Sequence, residues 1–233
     1  IDFVPYQFRP ALKMIKADEP KILIADSVGV GKTIEAGQNI SMNITPKDFG
    51  RIAVQQQSAT SFADWTTLYK KIVGWEIELS SSSDSSIKEV LSYQKNEANQ
   101  GFSKFVARNY YDWINRRVEE SEIPTMSHTL MRRRIFPEVD SASHTTLVLI
   151  DNMRLDQWRT IEPLLRGFYD VAVDDLYCAI LPTATQYARN ALFAGLMPLA
   201  IDKLMPEKWL NDNEDGGKNM YEEEFLRRLI QQS

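Results

Sequence analysis

The sequence predicts an α/β protein in three successive parts: a short strand–loop–helix segment, a helical bundle and a truncated sheet domain. Three observations carry that reading. Two short apolar runs, Lys21-Ile22-Leu23-Ile24-Ala25 and Leu147-Val148-Leu149-Ile150-Asp151, have the length and composition of buried strands. Between them Phe62, Trp65, Leu68, Ile72, Trp75 and Leu79 recur at spacings of three and four, the stripe of an amphipathic helix. After the second run, Thr183-Ala184-Thr185 opens a helix-like stretch through Ala194.

Bulk composition narrows the class. The 233 residues are 43% hydrophobic and 25% charged, ordinary for a soluble globular chain of one large or two small domains. The net charge of −5 gives no global basic field for nucleic acid. A single cysteine, Cys178, excludes an internal disulfide framework and suits a reducing, cytoplasmic setting. No apolar run approaches the roughly 20 residues of a membrane span, so no membrane partner is expected. The chain starts at Ile1 and stops at Ser233 just after a helix-like segment, and reads as a fragment of something longer.

In the first part, residues 1–37, Pro10 opens a helix and Glu19-Pro20 ends it. The strand at Lys21–Ala25 leads into Asp26-Ser27-Val28-Gly29-Val30-Gly31-Lys32-Thr33 and a helical continuation, the context of a P-loop. Gly29 and Gly31 would let backbone N–H groups wrap a phosphate, Lys32 would neutralise it, and Thr33 would hold magnesium. The strict pattern has Gly at position 26, where this chain has Asp. With Tyr6-Gln7-Phe8-Arg9-Pro10-Ala11 upstream, this wording resembles the start of Swi/Snf-type superfamily 2 helicases. The resemblance covers residues 1–37 and implies ATP and Mg2+ as ligands, with Gln7 recognising adenine. Residues 38–61 are a junction, because the polar Gln55-Gln56-Gln57 falls where such a helicase needs an apolar strand.

The helical bundle spans 62–136. A first helix covers Phe62–Leu79, and a serine-rich break follows. Ser86-Ile87-Lys88-Glu89 has capping-box spacing and starts a second helix, which runs on one stripe through Trp113 and Ile114. The two form an antiparallel pair. Their aromatic stripe has the spacing of core packing rather than of a base-stacking platform. A third helix fits Ser127–Phe136, with Ser127 as cap and Pro137 as stop, and its three arginines read as a solvated face. Beyond the strand at Leu147 we expect a helix over Leu155–Leu165. Short strands fit Tyr169–Val173 and Tyr177–Leu181. A helix over Thr185–Ala194 is closed by Gly195, and another covers Lys218–Gln232.

Function concentrates between Leu147 and Pro198. A strand ending in Asp151 and a hydroxyl at a helix start are the raw material of a phosphate or metal site. Taken alone, Asp151 as a helix-cap acid and Thr185 as an N-cap are the plainer readings. Completing the helicase from this stretch fails on two residues. Asn152 stands where a Glu must polarise water, and Gln186 stands where Pro usually follows the tripeptide.

The run Ile150-Asp151-Asn152-Met153-Arg154-Leu155-Asp156-Gln157-Trp158, then Ile180–Asn190 and on to Pro198, resembles the PglZ domain of PorX-type response regulators. Upstream Asp64-Trp65, Trp75-Glu76, Gln94-Lys95 and Asn109-Tyr110-Tyr111-Asp112-Trp113-Ile114 agree with it, as do Lys208-Trp209 and Glu222-Glu223-Glu224-Phe225-Leu226 downstream. The resemblance spans 62–233 and implies an α/β fold: a truncated alkaline-phosphatase-like sheet domain, the N-terminal half of a PglZ-type domain at 137–233, preceded by the helical bundle and the P-loop segment. It implies a two-zinc phosphodiesterase with Asp151 as a metal ligand and Thr185 as the metal-bound nucleophile, Thr183 being the lesser choice. It also implies two-component signalling, a phosphodiester or nucleotide substrate, and a sensor kinase partner wherever a receiver domain is joined.

The departures from that family matter. A helicase-like segment replaces the receiver domain, and His128 and His144 both precede Thr185. Zinc takes about four ligands, so Asp151 and Thr185 cannot hold two metals alone. The expectation is an incomplete, catalytically inactive site. The alternative is an ATP-binding helicase-like module, and a non-enzymatic reading makes 62–136 a module that forms a homodimer.

Overall fold

The computed structural model describes residues 21–27, 46–80, 84–140, 144–210, 217 and 219–232, with side chains from residue 50 onward except that of Asp140. In chain order the elements are β1 (Lys21–Ser27), α1 (Pro46–Ser58), α2 (Phe62–Ser80), α3 (Ser85–Ile114), α4 (Ser127–Leu130), α5 (Phe136–Asp140), β2 (Thr145–Asp151), α6 (Leu155–Leu165), α7 (Thr185–Ala194), α8 (Pro198–Leu204) and α9 (Glu222–Gln231). They fall into two compact units. One gathers the described residues of 33–124 and 155–167, the other those of 1–32, 125–154 and 168–233. The P-loop residues Gly29, Gly31, Lys32 and Thr33, and Gln7, lie outside the described residues.

The helical unit packs α1, α3 and α6 against α2. Its core holds Ile52, Trp65, Leu68, Ile72 and Ala98, with Trp75, Phe102 and Phe105 packed on it. The helical spacing of the aromatics therefore does the packing expected of it. Trp65 lies so close to α3 that a Cβ on Gly101 would come within 2.7 Å of its ring, so only glycine fits there. The polar stretch Gln55–Gln57 belongs to α1, a helix the sequence did not suggest. Ile52, with no exposed surface, anchors it.

Capping decides where these helices begin. Ser61 and Asp64 form a reciprocal box before α2. The Ser61 and Thr60 N–H groups donate to Asp64 Oδ2 at 2.9 and 3.0 Å, and the Asp64 N–H donates to Ser61 Oγ at 3.2 Å. Those donors hold the Asp64 carboxyl below its ordinary value of 3.8. A lowered folded value means the carboxylate stabilises the cap above the ordinary carboxylate range, and that help is lost as pH falls through the folded value. Asp64→Asn should remove this acid dependence of α2, read by amide exchange of its first turn below pH 4.

For α3 the expected Ser86 box gives way to Asp84. Its Oδ1 accepts from the Ser86 and Ile87 N–H groups, which starts the helix at Ser85. Within α6, Pro163 interrupts the donor ladder. The adjacent Glu162 is buried but paired on both sides, accepting from Arg159 Nη1 at 3.0 Å and Arg166 Nε at 2.9 Å.

In the second unit β1 and β2 pair in parallel, in register from Lys21 with Thr145 to Ser27 with Asp151. The expected strand at Lys21 is present and extends through Ser27. β2 is only half-buried, and Ile150 and Asp151 are exposed, against the expectation of a fully buried strand. Tyr169–Val173 and Tyr177–Leu181 are not strands. The second makes a single bridge, Met126 with Cys178, and the first is loop with Val171 and Val173 exposed. Among the described residues neither segment has a partner strand, and the second instead bonds the Thr125 carbonyl and the Ser127 hydroxyl through its Cys178 and Ile180 N–H groups.

The Ser127 helix also differs from expectation. Met126 holds the N-cap position, whereas Ser127 is buried and its Oγ accepts from the Ile180 N–H at 3.2 Å. The helix does not stop before Pro137. Met131–Ile135 form a wide π turn in which the Phe136 N–H bonds the Met131 carbonyl, and α5 continues through Pro137. The changed register accommodates a proline that has no N–H to give.

The unit's core joins Leu130, Met131 and Ile135 to Leu192 and Leu229, with Leu147 and Leu149 of β2 against it. A second cluster holds Ala194, Ile201, Met205 and Phe225. The last helix starts at Glu222, four residues later than its sequence pattern suggests. Among the described residues no helix is long and apolar enough to cross a membrane.

Candidate functional site

The core places the ends of β2 and α7 in one unit. β2 stops at Asp151 because Asn152 adopts a left-handed φ of 64°, a conformation Asn tolerates better than most residues. That turn leaves Asp151 at the strand end with its side chain 37% exposed. At the other partner, α7 begins one residue differently from the plain reading. Ala184 is the N-cap and offers no side-chain oxygen, so Thr185 is the first helical residue rather than the cap. The Tyr187 and Ala188 N–H groups bond the Ala184 carbonyl at 2.9 and 3.0 Å. The N–H groups of Thr185 and Gln186 precede the first intrahelical bonds and, with the dipole, favour an anion. Thr183 lies two residues before the helix in a loop, half-buried.

One residue connects the strand end to the middle of α7. Arg189 is four residues after Thr185, so the two lie on the same face of α7, with Cβ atoms about 5–6 Å apart. Arg189 Nη1 donates to Asp151 Oδ2 at 3.2 Å, and its Nη2 donates to Glu222 Oε2 at 2.5 Å. Asp151 and Glu222 thus meet at Arg189 on α7, the helix that Thr185 begins, and Glu222 brings in the start of α9. Neither Arg189 nor Glu222 was singled out from sequence. The signal available for Arg189 was its i, i+4 relation to Thr185. Glu222 is 33 residues away from Arg189, beyond any local period.

The electrostatics of this triad are lopsided. Burial raises the Glu222 carboxyl above its ordinary value, although the Arg189 charge and hydrogen bond pull the other way, and the Asp151 charge adds to the rise. Next to Arg189 on α7, Asn190 has no exposed surface, and its Oδ1 accepts from Asn219 Nδ2 at 3.3 Å. That bond ties α7 to the residues just before α9.

The remaining candidate ligands sit elsewhere. His144 precedes β2, so the length of the strand separates it from Asp151 by about 23 Å at roughly 3.3 Å per residue. Cys178 is buried and its thiol is pushed up to about 11 by desolvation, which keeps it protonated at neutral pH. Among the described residues no three His, Cys, Asp or Glu side chains come together as a metal cluster. The donor chemistry agrees with that, because a guanidinium sits between the two nearest carboxylates. These residues as arranged do not fit a two-zinc centre.

Two known families match parts of the chain. Residues 40–114 match the model of the PorX response regulator linker domain. Residues 130–233 match the model of the BREX system PglZ alkaline phosphatase-like domain. The chain therefore has a PorX/PglZ domain architecture, a response-regulator linker followed by an alkaline-phosphatase-like domain. No curated protein matches the chain. Neither family match reaches residues 1–37, and the helicase-like P-loop reading of that segment gains no support from them.

Proposed function

We propose that residues 130–233 act as a phosphodiester- or nucleotide-recognising module of alkaline-phosphatase type, with 40–114 as its response-regulator linker. The observation that supports this reading is the Arg189 bond to Asp151, which ties the strand-end acid to the helix that Thr185 begins. In this reading the Thr185 hydroxyl and the first N–H groups of α7 receive a phosphoryl oxygen. The triad of Asp151, Arg189 and Glu222 sums to one negative charge, so the anion sits at the helix start, a turn away from the carboxylates. Affinity is accordingly weak. Residue chemistry supplies recognition here but not a metal-activated nucleophile, and turnover stays at background.

The test is hydrolysis of bis-p-nitrophenyl phosphate with added zinc, paired with a binding titration of the same diester followed by the amide signals of Thr185 and Gln186. We expect background hydrolysis, and amide shifts that weaken at least several-fold in Thr185→Ala. Robust turnover lost in Thr185→Ala would overturn the inactive reading while supporting the family assignment. Absence of any shift at α7 in the unaltered chain would reject phosphodiester recognition.

A further inference from the structure

We infer that Asp151 serves in this chain as the anchor of an ion-pair clamp across three elements, not as a metal ligand. This rests on the alkaline-phosphatase-like reading above, because that family makes the acid at this strand end a metal ligand.

The geometry of Arg189 carries the inference. Its two terminal nitrogens bond two different carboxylates, Asp151 Oδ2 at 3.2 Å and Glu222 Oε2 at 2.5 Å. One guanidinium therefore joins the end of β2, the middle of α7 and the start of α9. Its side chain is 25% exposed, and that of Glu222 is 16% exposed. Part of the clamp is thus withdrawn from water, where charge-assisted hydrogen bonds matter most. The planar fork of Arg is fixed, so holding Glu222 with one arm orients the other arm toward Asp151.

A divalent cation at Asp151 would have to coexist with a positive charge already bonded to the same carboxylate. At short range two like charges repel strongly in a partly dry site. Displacing Arg189 would leave Glu222, already disfavoured in its charged form by burial, without its counter-ion. No third acid, His or Cys among the described residues joins Asp151 and Glu222 to compensate a metal. The clamp also accounts for the neighbourhood. Asn152 in its left-handed turn fixes where Asp151 leaves the strand, and Asn190 and Asn219 hold α7 and the approach to α9 together beside Arg189.

The experiment uses the full chain and cobalt(II) as the probe, with thermal unfolding as a second readout. Cobalt added to the unaltered chain should give the same visible absorption as cobalt added to Asp151→Asn, and zinc should leave Tm unchanged in both. Arg189→Gln and Asp151→Asn should each lower Tm, and the double variant should lose no more than the more damaging single one, as expected of one shared interaction. A cobalt absorption band or a zinc-induced rise in Tm that Asp151→Asn erases overturns the inference. Additive losses in the double variant overturn it as well. Should either variant fail to fold, the cobalt titration of the unaltered chain in competition with phosphodiester still decides, since a tetrahedral cobalt band appearing there overturns the clamp. Loss of diester binding alone sinks the recognition reading and leaves the clamp standing.

Discussion

Trp65→Ala is expected to destabilise the helical unit by about 3–5 kcal/mol, the range for deleting a large buried aromatic side chain. Trp65 is 7% exposed and central to the packing of α1, α2 and α3. Its ring centroid lies 5.7 Å from that of Phe102 and 6.0 Å from that of Phe105. Phe105 continues the contact to Trp113 at 5.5 Å. Removing Trp65 deletes the middle of this row, and Gly101, which exists to admit the ring, has no side chain to fill the space. The Trp65 indole N–H is buried without a hydrogen-bond partner, so Trp65→Phe should recover most of the loss while also removing that unsatisfied donor. Urea unfolding followed by helix signal, with amide exchange on α2 and α3, measures both. A loss under 1 kcal/mol in Trp65→Ala would mean that the aromatic row is not the core of the unit.

That row was legible in the sequence because helical spacing and side-chain size act together. Phe62, Trp65, Leu68, Ile72 and Trp75 announce a stripe, and a stripe of that width has to be buried. The helix α7 was legible for a different reason. Gly195 closes it with a φ of +63°, and a glycine after a periodic run is a strong stop signal. By contrast α1 carries one fully buried side chain, Ile52, among glutamines, too little for a period to show. Asp84 was overlooked as a cap in favour of Ser86 because both positions carry suitable oxygens, and backbone geometry alone chooses between them. Tyr169–Val173 has the composition of a strand, but a strand needs a neighbour to bond, and neighbours are a property of topology. The candidate site divides the same way. Asp151 and Thr185 stand at element ends that the sequence marks. Arg189 and Glu222 meet across 33 residues, and no spacing rule predicts a long-range ion pair.

Gly195→Val is the second change expected to have a large effect, and it reaches the candidate site through packing. A non-glycine residue held at left-handed φ costs about 1–3 kcal/mol, more for a β-branched one. A Cβ at this position would also come within 2.5 Å of Leu229 Cδ1. The Leu229 side chain has no exposed surface and packs with Leu130, Met131, Ile135 and Leu192, so overpacking adds about 1–3 kcal/mol. The sum, roughly 2–6 kcal/mol, is enough to unfold a domain of ordinary stability. Gly195→Asn separates the two contributions, since Asn tolerates the backbone angle but still carries the clashing Cβ. Gly195→Asn should therefore fall between glycine and valine in urea unfolding, and adding Leu229→Ala should recover part of its loss.

The contact has a functional side as well. From Arg189 to Gly195 is six residues along α7, and from Glu222 to Leu229 is seven along α9. At 1.5 Å per residue these are nearly equal lengths, about 9 and 10 Å. The Arg189–Glu222 bond and the Gly195–Leu229 contact thus space the two helices at two levels, one polar and one apolar. Forcing the apolar level apart must strain the polar level. Gly195→Val or Gly195→Asn should therefore loosen the Arg189–Glu222 bond, seen as faster exchange of the Arg189 side-chain N–H. Unchanged exchange in a folded Gly195→Asn variant would show that the two levels are independent, and that the bond keeps its geometry without the apolar contact beneath it.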